Sequence, residues 1–178
     1  MALDTIGFPL AERLAECLCG LLSERDPVAC CCVEPGAEVA WDDCTGGQAW
    51  VRIVQEYPVG DRFPNPQNSA SPCGGVGGWA VVLELGVLRC MPLPDGQGNL
   101  PSCQAEQDTA ERIADDKHTM REAVFCCDWR DTPRDAFASP EDGLIVGPWT
   151  PVGPEGGCVG GTMTVTVHAT GCICGAGA

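Results

Sequence analysis

The chain has few basic residues and only two histidines, His118 and His168. Ten lysines and arginines stand against 25 aspartates and glutamates, which gives a formal net charge of -15. Binding nucleic acid through its phosphates requires a basic surface, and docking to anionic lipid requires basic residues as well. The charge therefore argues against both functions, although an acidic wall would let DNA slide past without binding.

Catalytic and targeting motifs are also missing. No serine-containing nucleophile elbow is present, and the glycine-rich stretches do not follow a strand and open a helix as phosphate-binding loops do. Adjacent acids such as Asp115 and Asp116 are predicted to be surface charge. No basic stretch typical of a secretory signal precedes the first apolar segment, and the longest apolar run is too short to span a bilayer. We predict a protein that is not an enzyme, has no cofactor and contacts no membrane.

Cysteine, in contrast, is abundant, with fourteen residues. No two of them are separated by the two-residue gap of a zinc knuckle or a thioredoxin-type redox centre. Most fall inside segments with helix or strand periodicity, and cysteine is among the residue types most often fully buried. In a strand over residues 28–33, Cys30 and Cys32 would face one way and Cys31 the other. The cysteines are therefore interpreted mainly as small packing residues, with free thiols in a reducing cytoplasm.

Two disulfide hypotheses remain open. Cys44 could pair with a cysteine of the 30–32 run and close the intervening loop, and Cys90 could pair with Cys103 across one Gly/Pro-rich turn. Sequence alone fixes neither pairing.

Cys30, Cys31 and Cys32 with Cys44 could also form a metal cluster, although buried packing is the favoured interpretation. A second candidate ligand set lies near the C-terminus. His168, Cys172 and Cys174 are close enough in sequence to supply three zinc ligands. Cys-x-Cys is a poor spacing for a tetrahedral chelate, and His168 falls on the outward register of a strand. The favoured interpretation is a solvent-facing histidine and no metal site.

Hydrophobic periodicity predicts an α+β fold. It is a mainly antiparallel sheet of about five strands with two helices packed on one face, in the order α-β-β-β-α-β-β. We expect a single domain over residues 1–178, with an ordered core over 8–170 and a flexible tail over 170–178. The Pro/Gly-rich stretch 58–78 is too long for an ordinary connection and is predicted to be an arm or functional loop. The predicted helices span 8–25 and 103–129, and the strands 28–33, 49–57, 79–92, 143–152 and 159–168. Strand 79–92, apolar on both sides, is predicted to be central. Repeats of three and four predict one buried stripe on each helix: Leu10, Leu14, Cys17, Leu18, Leu21 and Leu22 on the first, and Ala110, Ile113, Lys117, Met120, Val124 and Cys127 on the second.

Two segments carry a family resemblance. One begins with the stretch GVLRCMP at 86–92, continues through the PDG turn at 94–96 and ends in the helix over 108–127. The other is GPWTPVGPEGGCVGG at 147–161, which leads into the last strand. Together with Arg62-Phe63-Pro64 they resemble neck proteins of long-tailed phages infecting actinobacteria, and most closely their tail terminators. The resemblance covers roughly residues 8 to 170.

The resemblance implies a structural virion protein. Tail terminators form hexameric rings that cap the tail tube and join it to the head. The implied partners are other copies of the chain in a homohexamer, the major tail tube protein and a head-side connector or stopper protein. DNA would pass through the lumen without specific binding, and the ring would be assembled in the host cytoplasm and reside in the virion neck.

A closed ring requires a heterologous interface, and aromatic residues on rigid loops suit such contacts. The interface candidates are Arg62, Phe63, Trp41 and Trp149. For Trp41 and Trp149, a local core position is an equally good interpretation. Three other functions stay open: a head-to-tail stopper or adaptor of the same neck, a cytoplasmic zinc-binding or thiol-redox module, and a secreted disulfide-rich binding domain.

Overall fold

A computed structural model describes residues 4–40, 45–60, 62–67, 78–130, 137–138 and 143–170. It confirms the predicted α+β fold, with two helices and an open, mostly antiparallel sheet. The predicted order α-β-β-β-α-β-β is found, with one additional two-residue strand after the second helix. The elements are α1 (Gly7–Arg25), β1 (Cys30–Val33), β2 (Gln48–Val59), β3 (Gly78–Cys90), α2 (Cys103–Cys126), β4 (Phe137–Ala138), β5 (Leu144–Glu155) and β6 (Cys158–Thr170).

The sheet is built around β3 and β6. Its order is β1-β2-β3-β6-β4, and β5 also pairs with β6. The short β1 runs parallel to β2, whereas every other pairing is antiparallel. Because β3 pairs with β2 on one side and β6 on the other, the prediction that β3 is a central strand is confirmed.

Helix α1 packs on the sheet through one apolar stripe. At its start, Asp4 accepts hydrogen bonds from the backbone N–H groups of Ile6 and Phe8, at 2.9 and 2.6 Å. These bonds satisfy donors that have no partner inside the first turn. The predicted three- and four-residue repeat is buried as expected. Its fully buried members are Leu10, Leu14, Leu18 and Leu22.

Apolar clusters lie on both faces of the sheet. The main core lies between the helices and the sheet and includes Val81, Leu83 and Leu85 of β3. Because successive strand residues point to opposite faces, Trp50 and Leu88 lie on the other face. There they form a smaller cluster with Val39 and Cys158.

Helix α2 extends well beyond the core. Its buried residues all lie in the second half, between Asp116 and Val124. The predicted buried stripe is therefore wrong at Ala110, which is exposed. Residues 103–115 form about 20 Å of helix, and Ser102 caps it by accepting a 3.1 Å hydrogen bond from the N–H of Ala105. We call residues 93–115, this half-helix with its preceding loop, the projecting segment.

Two disulfide bonds tie α1 to the rest of the fold. Cys17 is bonded to Cys127, just after α2, and Cys19 is bonded to Cys31 of β1, with Cα–Cα distances of 5.8 and 5.7 Å. The interpretation of these four cysteines as free packing residues is therefore wrong. The reason is that each bond joins elements that meet only after folding, which spacing along the chain does not reveal.

The predicted disulfide candidates do not form these bonds. Cys103 is an exposed thiol, so the expected Cys90–Cys103 bridge is not formed. Cys103 lies at the exposed outer end of α2, whose buried residues begin only at Asp116. Cys44 lies outside the described residues.

Candidate functional surface

The first part of the predicted arm folds back on its own strand. The N–H of Gln67 donates to the carbonyl of Pro58 at 2.9 Å, and Pro66 forms a bridge with Val59. Within this turn, the carbonyl of Arg62 accepts a 2.8 Å hydrogen bond from Asn65, and the Arg62 side chain is exposed. Residues 62–67 therefore form a turn that folds back on the end of β2, while 61 and 68–77 lie outside the described residues.

Phe63 covers His168. The two ring centroids are 5.3 Å apart and the rings are tilted by 54°. His168 lies on the sheet face opposite the helices, as predicted, but it is half-buried rather than solvent-facing. Its Nε2 atom is buried and has no hydrogen-bond partner within the part of the chain that the structure describes. The other two candidate ligands, Cys172 and Cys174, lie outside that part, so the predicted ligand set is represented by His168 alone.

Trp149 packs within its own chain. It contacts the main core and lies over Gly161, where an added Cβ would overlap the indole. The ammonium of Lys117 on α2 lies 5.6 Å from the centre of the Trp149 ring, within cation–π range. This contact accounts for a charged residue, Lys117, on the side of α2 that faces the sheet. The local core position is observed for Trp149, whereas Trp41 lies outside the described residues.

The face opposite the helices carries a depression of about 790 Å³ next to the smaller cluster. An ion pair crosses it: Arg52 donates from Nε and Nη2 to the carboxylate of Glu84, at 2.6 and 2.9 Å. Trp50 donates to the same carboxylate at 3.3 Å, and Arg52 also donates to the carbonyl of Ala37 at 2.6 Å. Because the groups of this ion pair already bind one another, they are poorly suited to binding a charged ligand.

A buried ion pair connects β3 with α2. Arg89 donates to both carboxylate oxygens of Asp116, at 2.8 and 2.7 Å, and both side chains are buried. Arg89 also donates to the carbonyls of Asp26 and Pro27, at 2.9 and 3.2 Å, which fixes the end of α1. Burial alone would lower the pKa of Arg89, but the hydrogen bonds and charge of Asp116 raise it above its usual value. The prediction of Asp116 as surface charge is therefore wrong.

The projecting segment combines acidic and apolar surface. A depression of about 610 Å³ beside it is lined by acids of α2, among them Asp108 and Glu111, and by Asp26 just after α1. In the loop before α2, Leu93 and Leu100 are 63% and 82% exposed. Apolar side chains this exposed gain little from their own fold, which makes these two residues candidates for a contact with another chain.

Two thiols and a carboxylate meet on β1. The sulfur atoms of Cys30 and Cys32 are 3.8 Å apart, and the Cys32 thiol donates to the Glu34 carboxylate at 3.4 Å. Burial, reinforced by hydrogen bonds to Glu34 and Cys30, raises the pKa of Cys32 to about 12. The predicted alternation of Cys30 and Cys32 against Cys31 is confirmed, because Cys31 faces the helices and is bonded to Cys19.

No family model matches the chain, and no curated protein matches it. Among the described residues, no helix is both long and apolar enough to cross a membrane.

Proposed function

We propose that the chain is a structural subunit of a phage neck, a tail terminator that assembles into a homohexameric ring. In this role it would bind the major tail tube protein on one side and a head-side connector on the other. The proposal rests on the sequence resemblance and is supported by an α+β fold of the kind that the resemblance implies.

The projecting segment is the structural observation that most supports a contact between subunits. Residues 103–115 contain no buried residue, although they form more than half of α2. The chain therefore maintains an ordered half-helix without a buried residue, preceded by a loop that exposes Leu93 and Leu100. A contact with another subunit would bury this apolar surface and stabilise the assembly by roughly 25 cal/mol per Å².

The two ends of the sheet differ, as a head-to-tail ring requires. A heterologous interface joins two unlike surfaces, one from each neighbouring copy. At one end lies the four-residue β1. At the other end lie the two-residue β4 and β5, and the pairing of β5 with β6 is irregular near Pro148 and Pro154. Such prolines reduce unwanted pairing at a sheet edge, so contacts between copies would depend on side chains and on the projecting segment.

Charge and disulfides fit a particle that conducts DNA and leaves the cell. An acidic wall with a net charge of -15 repels DNA phosphates, so a ring lined by it would not retain DNA. Disulfides persist in oxidising surroundings, which include virion surfaces. The Cys17–Cys127 and Cys19–Cys31 bonds are thus compatible with a virion protein.

The test is native mass spectrometry of the purified protein, alone and with purified tail tubes. We expect a hexamer, or a monomer that becomes hexameric on the tubes. Leu100→Glu should prevent hexamer formation, whereas Val54→Glu, at an exposed apolar residue of β2, should not. A chain that stays monomeric with tubes and does not bind them would contradict the proposal.

A head-side stopper or adaptor is the nearest alternative. The two roles differ in which part of the particle the ring binds first. Co-sedimentation with isolated tails, compared with DNA-filled heads, separates them. Binding to tails alone supports the terminator, and binding to heads alone supports the stopper.

A further inference from the structure

The alternation of β1 places three ligand-bearing side chains on one face of a rigid strand. Residues 30, 32 and 34 share the face opposite the helices, while Cys31 and Val33 pack against the main core. The Cys19–Cys31 bond anchors the strand from behind. The N–H of Glu34 donates to the carbonyl of Val51 at 2.9 Å, which continues the pairing past the end of β1.

Cys-x-Cys is a poor spacing for a tetrahedral chelate in general, but the extended strand brings these two thiols to the separation of a tetrahedral metal centre. Zn–S bonds of about 2.3 Å place two tetrahedral thiolates about 3.8 Å apart, and the Cys30 and Cys32 sulfurs are 3.8 Å apart. With a Zn–O bond of about 2.0 Å, the sulfur-to-oxygen separation is about 3.5 Å, and Cys32 lies 3.4 Å from the Glu34 carboxylate. The ligand atoms of all three residues lie within 4.8 Å of one another.

We propose that Cys30, Cys32 and Glu34 bind one Zn²⁺ ion per chain, with a water molecule as the fourth ligand. Both thiols lose their protons to solvent on binding, since thiolates are the ligands of zinc. Two thiolates and one carboxylate carry three negative charges, so the site with its Zn²⁺ ion has a net charge of minus one. Arg52 on the neighbouring strand is already bound to Glu84 and to Ala37, so the ion is the main neutralising charge.

The chain contains matched controls for this site. Cys103 and Cys126 are exposed thiols on α2. Among the described residues, Cys30, Cys32 and Glu34 are the one group of three potential ligands that meet closely enough to hold a metal. Replacing Cys103 and Cys126 by serine therefore removes two exposed thiols and leaves the proposed ligands in place.

The experiment is an anaerobic Co²⁺ titration of the intact protein, followed by displacement with Zn²⁺. We expect one Co²⁺ per chain, a thiolate-to-cobalt charge-transfer band, and loss of this band when Zn²⁺ is added. X-ray absorption of the zinc form should give two sulfur neighbours at about 2.3 Å and oxygen neighbours at about 2.0–2.2 Å. Cys103→Ser/Cys126→Ser should behave like the wild type.

Loss of ligands should abolish or weaken the site. Cys30→Ser/Cys32→Ser should show no charge-transfer band, and Glu34→Gln should bind at least about 10-fold more weakly, the lower limit for removing even an outer-shell partner. Circular dichroism and mapping of the two disulfides verify that each variant is folded. A wild type without the band, or a Cys30→Ser/Cys32→Ser variant that retains it, would overturn the proposal. The readout does not depend on ring formation, so it is separate from the test of the proposed function.

Discussion

The indole of Trp50 occupies the space over Gly86, its direct partner on the neighbouring strand. Trp50 is fully buried although it lies on the sheet face opposite the helices. An aromatic ring over a glycine covers backbone that would otherwise be exposed and fixes the register of the two strands. On the helix-facing side Trp149 also lies over a glycine, Gly161, although its direct strand partner is Met163. On each face of the sheet, a tryptophan ring thus fits only because the residue beneath it is glycine.

Gly86→Ala should destabilise the fold. The added Cβ would overlap the Trp50 ring, and such overpacking typically lowers the free energy of unfolding by about 1–3 kcal/mol. Gly20→Ala is the control: it lies in α1 with no atom near the new methyl group and should stabilise the protein by about 0.5–1 kcal/mol. Urea denaturation measures both changes. Equal effects of the two substitutions would show that the indole moves aside without cost.

Asp116→Ala should be among the most damaging single substitutions. It leaves the Arg89 guanidinium buried without its carboxylate, which typically costs about 3–5 kcal/mol in the free energy of unfolding. Arg112→Ala breaks only the exposed pair with Asp26 and should cost at most about 1 kcal/mol. Thermal and urea denaturation compare the two.

The double variant Arg89→Met/Asp116→Leu tests whether the cost of Asp116→Ala comes from the unpaired charge of Arg89. Replacing both charges by apolar groups removes the unpaired charge, so the double variant should be more stable than Asp116→Ala alone. A double variant less stable than Asp116→Ala would mean that the hydrogen bonds of Arg89 to the end of α1 matter more than its charge.

Loss of the two disulfides should have unequal effects. The bond between Cys17 and Cys127 spans 110 residues and that between Cys19 and Cys31 spans 12. In the chain-entropy model these loops correspond to about 5 and about 3 kcal/mol of stabilisation. Cys17→Ala/Cys127→Ala should therefore lower the denaturation midpoint more than Cys19→Ala/Cys31→Ala. The reverse order would indicate that strain or residual structure outweighs loop closure.

Phe63→Ala should leave a folded protein. The ring is half-buried and rests on His168, so its loss should cost less than the 3–5 kcal/mol typical of a fully buried aromatic residue. Trp129→Ala, at a fully buried ring, provides the comparison. If Phe63 also contacts another copy, native mass spectrometry should show a smaller fraction of hexamer for Phe63→Ala, while the monomer remains folded. A monomer unfolded by Phe63→Ala would exclude the interface role.

Local patterns predicted the fold well. The leucine stripe of α1 and the alternation in β3 and β6 depend on near neighbours in sequence, and they were sufficient for element type and order. The same local logic placed Cys30 and Cys32 on one face. The extent of α2 was also predicted, but its exposed first half was not, because Ala110 and Ile113 continue an apolar repeat that has no sheet beneath it.

Long-range pairings were beyond such patterns. Arg89 and Asp116 are 27 residues apart and Cys17 and Cys127 are 110 apart, and no local signal marks either pair. Glu34 was not recognised as a neighbour of the thiols, although the alternation that links residues 30 and 32 also includes 34. Continuing the alternation of β1 by one more step, to residue 34, would have identified Glu34 as a neighbour of the two thiols.

The Cys17–Cys127 bond also closes a covalent loop over residues 17–127 and leaves the two chain ends outside it. A single proteolytic cut anywhere between these residues leaves both pieces covalently joined, so a non-reducing gel would show one band of unchanged mass. A cut between Cys127 and β5 instead separates β5 and β6 together from the rest of the chain, because no described disulfide joins them to it. Of these two strands, β6 lies in the middle of the sheet. The stretch between α2 and β5 is therefore where one broken peptide bond allows this hairpin to dissociate from its subunit.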